Sequence, residues 1–277
     1  MLFKKTISKK VHLKGIGVHS GKHASLWICP SDSGKITFKR IDKNSLLSLD
    51  LQKIQSMHST SLIYEDTKVR TIEHLMAVLF ILGINSALIE LDGEEVPIFD
   101  GSAVPFLEVI QKSGTKNLSM KNKIIRIKQP FQIKENEASI YGEPHDNFKI
   151  TYIIEYQHPL IGRQELSLDI NRDTFQKEIA PARTFGFLKD AEFLHKNKLA
   201  LGSSLKNTIV LDDTGVINPP LRFKDEFVRH KILDLIGDLS LMDGKLLGHF
   251  KAQKAGHQLH LKMVHFLLEN KDYCEIM

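Results

Sequence analysis

Apolar residues recur at helical spacing through Val228 to Asp243, where Ile232, Leu233, Leu235, Ile236 and Leu239 predict a buried helix. A second apolar stretch, Thr71 to Gly83, follows Val69-Arg70 and predicts another. Leu88-Ile89-Glu90-Leu91 reads as a strand behind it, and Asp100-Gly101-Ser102 caps a helix from about Ala103 to Ser113. A last helix is expected from about Gly256 to Glu269. Strands interleaved with a few apolar helices give an α+β class.

The strand pattern occurs twice. Ala24-Ser25-Leu26-Trp27, Pro30, Asp32 and Lys35-Ile36-Thr37-Phe38 return, ungapped, as Ala138-Ser139-Ile140-Tyr141, Pro144, Asp146 and Lys149-Ile150-Thr151-Tyr152. Each copy reads as a hairpin with a turn built on Pro and Asp. Val228-Arg229 opens the later helix as Val69-Arg70 opens the earlier, which sets His74 against Asp234. The expectation is an internal duplication: a first domain over 1–117, a second over 123–277, and helices of the two packing against each other. The polar stretch Ser113 to Lys123 reads as the linker, and extra residues of the second half fall at about 158–225.

Length and composition narrow the classes. A chain of 277 residues, 42% hydrophobic and 26% charged, has ample core for a soluble globular protein. Its net charge of +5 favours an anionic partner. Basic residues cluster only at Lys4, Lys5, Lys9 and Lys10 and from Lys112 to Lys128, with no basic helix carrying aromatics, so nucleic acid is not expected. Two distant cysteines, Cys29 and Cys274, make neither a disulfide framework nor a zinc ribbon and suit a reducing cytoplasm. The N-terminus has no signal-peptide core, and the longest apolar run, Leu75 to Ile84, is about half of what a bilayer requires. No transmembrane segment is expected, while transient contact with a membrane surface stays open.

On the Val228 helix, His230, Asp234 and Asp238 stand four apart in one row, with Lys231 beside them. Ionisable groups on an otherwise apolar helix need partners. An intrahelical His–Asp pair answers that need, and so does a metal ion taking two ligands here and a third elsewhere. Glu73-His74 on the other helix offers that third ligand with a carboxylate beside it, the pairing a zinc hydrolase uses to activate water. A structural Glu73–Arg70 pair competes with this reading, and the patterns H-E-x-x-H and H-x-x-E-H are both absent. Among the C-terminal histidines, His257 reads as an acid tuned by a helix start and a carboxylate, and equally His257 and His260 read as metal ligands or as surface residues.

These residues carry a resemblance. Thr-Ile-Glu-His-Leu around His74 and Val-Arg-His-Lys-Ile-Leu-Asp-Leu-Ile-Gly-Asp-Leu from Val228 resemble the UDP-3-O-acyl-N-acetylglucosamine deacetylase family, zinc amidases of lipid A synthesis. Gly15-Ile16-Gly17-Val18-His19-Ser20-Gly21, Ala182-Arg183-Thr184-Phe185, Leu201-Gly202-Ser203-Ser204-Leu205 and Gly256-His257 extend it over nearly the whole chain. The resemblance implies two similar α+β domains with helices between the sheets. It implies zinc on His74, His230 and Asp234, with Glu73 as general base and Thr184 at the oxyanion. His257, oriented by Asp238, would serve the leaving amine, and Lys231 would bring positive charge to the substrate. Ile16, Val18, Phe185 and Gly202 would border an acyl passage with the 158–225 segment, and His19 would touch the substrate. Tyr156 is either a ring for the uracil or an ordinary strand-end aromatic. The implied partner is an acylated UDP amino sugar and the implied state a cytoplasmic monomer. Ser203, where many members have glycine, and His260, a possible competing ligand, depart from the family pattern. A zinc hydrolase of another amide and a non-catalytic binding module are the competing classes.

Overall fold

The computed structural model describes residues 3–56 and 58–277. The first half runs β1 (Phe3–Ile7), β2 (Val11–Ile16), β3 (His23–Cys29), β4 (Ile36–Arg40), β5 (Ser45–Ser48), then β6 (Ile54–Ser56), β7 (Thr60–Tyr64) and β8 (Thr67–Val69). Helix α1 (Glu73–Leu82), β9 (Ala87–Leu91), α2 (Val104–Ser113) and β10 (Thr115–Lys121) complete it. The second half begins β11 (Ile124–Ile127), β12 (Phe131–Glu135), β13 (Ala138–Glu143), β14 (Phe148–Glu155) and β15 (Arg163–Asp169). Next come α3 (Arg172–Thr174), continued by a π turn over Phe175–Ile179, β16 (Phe185–Phe187), α4 (Ala191–Lys196) and β17 (Ile209–Leu211). Helix α5 (Glu226–Leu239), β18 (Lys245–Gln253), α6 (His257–Glu269) and β19 (Cys274–Ile276) close the chain.

The expected α+β class is the observed one. Both main sheets follow one plan: β2-β3-β9-β4-β5 in the first half and β12-β13-β18-β14-β15 in the second. In each, the strand after the central helix inserts between the two expected partners, antiparallel to one and parallel to the other. The matched segments are therefore not hairpins, contrary to the local reading. Their turns leave room for a strand that arrives much later in sequence, and a local pattern carries no sign of it.

The plan extends to the ends of each half. Strand β1 bridges in parallel to Ile84 ahead of β9 and pairs antiparallel with β10, as β11 pairs in parallel with β18 and antiparallel with β19. The expected linker from Ser113 to Lys123 is thus largely strand β10, which sits with the first half. Its polar side chains fit an edge strand that faces water. The expected insertion at 158–225 also narrows, because β15 belongs to the shared plan. The first half carries its own addition at the same place, the ribbon β6-β7-β8 between β5 and α1.

Helices α1 and α5 pack against each other, with α5 also on β14 and β15, α6 on β12 and β13, and α2 on β2. Helix α1 is consequently apolar almost all round, and most of its residues are buried. Gly83 ends it in the left-handed region, where its N–H caps the carbonyls of Leu79 and Phe80. A single hydrophobic core joins both halves, including Leu75, Met76 and Leu79 from α1 and Ile232, Leu235 and Ile236 from α5. No helix among the described residues is long and apolar enough to cross a membrane.

Candidate active site

The contact between the two central helices is unusually close at one point. Gly237 of α5 lies so near the first turn of α1 that a Cβ there would stand 2.3 Å from the Glu73 carbonyl oxygen. Only a residue without a side chain allows this approach, and it brings His74 to the row on α5. His74 Nε2 is 3.7 Å and His230 Nε2 3.4 Å from Asp234 Oδ1, and the imidazole rings meet edge to face at 5.0 Å. All three side chains are buried.

Their chemistry suits a cation. His230 Nδ1 lies 3.1 Å from the Ala182 carbonyl, a contact that places the proton on Nδ1 and leaves Nε2 a free lone pair. Burial pushes His230 down to about 4, so it stays neutral. Burial opposes ionisation of Asp234, but Lys231 and the neighbouring imidazoles hold its carboxyl well below the ordinary range. His74 Nδ1 is buried without a partner among the described residues, so packing alone orients that ring. Tetrahedral donors about 2.0–2.1 Å from zinc stand roughly 3.3 Å apart, close to the two separations measured here. Two imidazoles and one carboxylate, grouped within 4.8 Å, fit zinc with a position left open.

Lys231 Nζ donates to Asp234 Oδ2 at 2.7 Å, opposite the edge that faces the histidines. Burial works against its charge, yet the Asp234 carboxylate more than compensates and raises it. Its first role here is to neutralise the Asp234 carboxylate, a pairing that the expectation of charge at the substrate did not include.

A second polar group backs the first. Asp238 Oδ2 accepts from His257 Nδ1 and His260 Nδ1, each at 2.7 Å, and Oδ1 accepts from the Thr60 hydroxyl in a very short contact. Burial opposes the charge of His257, but Asp238 and Asp234 outweigh it and push the imidazole up to about 9. Asp238 itself is held at about 2 by His257 and His260 against the effect of burial. These three residues also meet a metal-ligand spacing. Hydrogen-bonding geometry already accounts for them, since His260 Nε2 reaches the Tyr152 hydroxyl at 3.1 Å while both Nδ1 atoms share one carboxylate oxygen. His260 therefore stands behind Asp238, away from the first group of donors.

Glu73 faces the same space from the start of α1. Burial raises its pKa, and its carboxylate accepts from the Thr60 N–H at 3.0 Å, not from Arg70. Glu73, His74, His230, Lys231, Asp234 and His257 all border one cavity of about 1130 Å³. Thr184, Phe185 and Tyr156 form a wall of it, with Tyr156 5.8 Å from Phe185 and 5.7 Å from Phe187 between ring centroids. Val18 and His19 border it from the first half. Burial pushes His19 down to about 4, so it meets the cavity uncharged.

Ile16 and Gly202 do not border the cavity, contrary to expectation, and meet each other beside Gly17 and Gly21. Gly202 N–H donates to the Val18 carbonyl at 3.0 Å, and a Cβ at 202 would stand 2.2 Å from the Gly17 carbonyl oxygen. Their part is to lock the 17–21 loop onto the 200–205 loop. Leu188, Phe193, Leu205 and Ile217 line the cavity from the second half's added segment.

Three contributors have no readable signal in the sequence. Thr60 joins Glu73, Asp238 and His257 from strand β7, within an ordinary Ser-Thr-Ser run. Glu95, buried, accepts from the N–H groups of His19 and Ser20 and from the Thr71 hydroxyl, fixing the loop and the entry to α1. Glu226, buried, accepts from the backbone and guanidinium of Arg183 and from the Arg222 N–H, which sets the Thr184-Phe185 strand against α5. An isolated glutamate shows its function only through its partners, most of them far off in the sequence.

A family profile described as UDP-3-O-acyl N-acetylglycosamine deacetylase matches residues 4–269. The chain belongs to this family. Among curated UDP-3-O-acyl-N-acetylglucosamine deacetylases, that of Thermodesulfovibrio yellowstonii is 45% identical over 99% of this chain and 94% of its own length. The enzyme of Geotalea uraniireducens is 43% identical over 100% of this chain and 92% of its own length. That of Pseudomonas entomophila is 39% identical over 100% and 94%. Membership of the deacetylase family thus covers both halves, the contact between α1 and α5, and the segment that lines the cavity.

Proposed function

We propose that the chain is a zinc-dependent deacetylase that hydrolyses the N-acetyl amide of UDP-3-O-acyl-N-acetylglucosamine, yielding the free amine and acetate in the committed step of lipid A biosynthesis. One observation carries this reading: His74, His230 and Asp234 converge at a cavity that also presents Glu73, the Asp238–His257 pair and an apolar wall. Zinc held by those three ligands supplies Lewis acidity toward water and toward the amide carbonyl.

The chain's own groups account for the protons. Glu73, made more basic by burial, takes a proton from the water that adds to the acetyl carbon. The Thr184 hydroxyl, on the cavity wall, supports the oxyanion that develops there. His257 enters protonated and gives its proton to the nitrogen as the C–N bond breaks, with Asp238 holding the ring from behind. Lys231 keeps Asp234 ionised and adds positive charge beside the reacting carbonyl.

The rest of the cavity fits the rest of the substrate. Val18, Phe185, Leu188, Phe193 and Leu205 border a passage for the acyl chain, and His19 lies at its side. Tyr156 offers its ring to the uracil, and the chain's net charge of +5 suits a diphosphate. We read the enzyme as a cytoplasmic monomer whose halves descend from one duplicated unit, a reading supported by their shared strand order. Hydrolysis of the acylated and unacylated UDP-sugar, measured side by side, tests the assignment. Strong preference for the acylated form supports it, whereas equal rates point to a zinc hydrolase of another amide.

A further inference from the structure

Thr71 stands just before the helix that carries Glu73 and His74, and its backbone is unusual. Ten non-glycine residues among those described have a positive φ, and Thr71, at 57°, is the only β-branched one. The branch at Cβ makes that left-handed conformation a true outlier, which persists only where the surroundings impose it. The Arg70 N–H donates to the Glu94 carbonyl at 2.9 Å and the Ile72 N–H to the Thr60 carbonyl at 3.2 Å, so the chain is clamped on both sides. The buried Thr71 hydroxyl donates to Glu95 Oε1 at 2.9 Å. No side chain caps the first turn of α1, which leaves its direction to this turn of backbone.

Glu95 does more than hold Thr71. Its buried carboxylate also accepts from the N–H groups of His19 at 2.8 Å and Ser20 at 2.6 Å. The loop wraps it so closely that a Cβ at Gly17 would stand 2.2 Å from Oε2. A buried carboxylate is costly without such donors, so the hydroxyl and the two amides are held in place together. One acidic side chain thus joins the loop that brings His19 to the cavity with the turn that brings Glu73 and His74 there. We propose that Thr71 and Glu95 are positioning residues for the reaction: the carboxylate holds Thr71 in its strained left-handed turn, which aims the base and the first metal ligand, and ties that turn to the His19 loop. Glycine would adopt this backbone freely, whereas threonine needs the hydroxyl–carboxylate bond to keep it. This role rests on the proposed function, since it presupposes Glu73 as the base.

Kinetics of the zinc-loaded, full-length protein on the acylated UDP-sugar test it, together with crystal structures of the variants. Thr71→Val keeps the branch and removes the hydroxyl. Residue 71 should leave the left-handed region and Glu73 should lose its bond from the Thr60 N–H. With that displacement kcat should fall roughly 10- to 100-fold while KM stays within about twofold of wild type. Thr71→Ser restores the hydroxyl and should recover most of the loss. Thr71→Gly accepts the same φ without strain and should retain several-fold more kcat than Thr71→Val. Glu95→Gln turns an amide N–H toward one of the donors, so it loosens the loop as well. In that variant kcat should fall, KM should rise, and the His19 and Ser20 amides should exchange faster with solvent. Wild-type kcat or an unmoved Glu73 in Thr71→Val, no recovery in Thr71→Ser, or a Thr71→Gly as slow as Thr71→Val would overturn the proposal. So would wild-type KM and amide exchange in Glu95→Gln, a result that stands even if the valine variant does not fold. A wild type without deacetylase activity would remove the proposed function alone, and the backbone of Thr71→Val and the amide exchange of Glu95→Gln would still decide this one.

Discussion

Gly237 touches the backbone of Glu73, and this contact lets one cluster draw its proposed ligands from both halves of the chain. His74 follows Glu73 directly, while Asp234 precedes Gly237 by less than one turn of α5. A methyl group at 237 must push the helices apart or bend one of them. Gly237→Ala should destabilise the protein by about 1–3 kcal/mol and weaken zinc binding together. Thermal melting and metal analysis read both effects; unchanged values in each would show that the approach is not needed.

Glu73 lies beside the ligand set without belonging to it. Glu73→Gln keeps shape and removes the base, so zinc content should hold while kcat falls by about 10²–10⁴. Wild-type turnover in that variant would remove the assigned base.

The pH behaviour of His257 can be followed in chelator-treated protein. Its folded value, raised from 6.5 to about 9, means that the protonated ring stabilises the fold fully below about 6.5. That contribution disappears as pH rises through about 9. Urea unfolding from pH 6 to 10 should show this loss in the wild type and a flatter profile in His257→Gln. Parallel profiles for the two proteins would contradict the assignment.

Thr60 links the halves through hydrogen bonds alone, reaching Asp238 by its hydroxyl and Glu73 by its N–H. Thr60→Val keeps the N–H and the volume but removes the hydroxyl. Zinc content should be unchanged, kcat should fall several-fold, and the alkaline limb of the kcat profile should move. An unaltered limb would place Thr60 outside the proton-transfer machinery.

Glu226 answers Arg183 from a fully buried position. Glu226→Ala strands that guanidinium and should cost about 3–5 kcal/mol, visible in denaturant unfolding. Loss of less than 1 kcal/mol would mean that water replaces the carboxylate.

The row of His230 and Asp234 that the structure brings to His74 was legible because helical spacing places residues four apart on one face, and because His and Asp are conspicuous among Ile and Leu. Helices α1, α2, α5 and α6 emerged within a few residues of their bounds for the same reason. The sheets were less legible, since β9 and β18 enter between strands some fifty to a hundred residues earlier and only the finished topology reveals the pairing. Strand β10 looked like a linker because an edge strand keeps polar side chains. Thr60, Glu95 and Glu226 stayed hidden because a single polar residue acquires meaning only from the groups that surround it.

An anomalous difference map at the zinc edge, from crystals of the protein purified without added chelator, tests the central claim most directly. One peak within bonding distance of His74 Nε2, His230 Nε2 and Asp234 Oδ1 is the predicted result. A map without a peak there, or with its only peak among Asp238, His257 and His260, would contradict it.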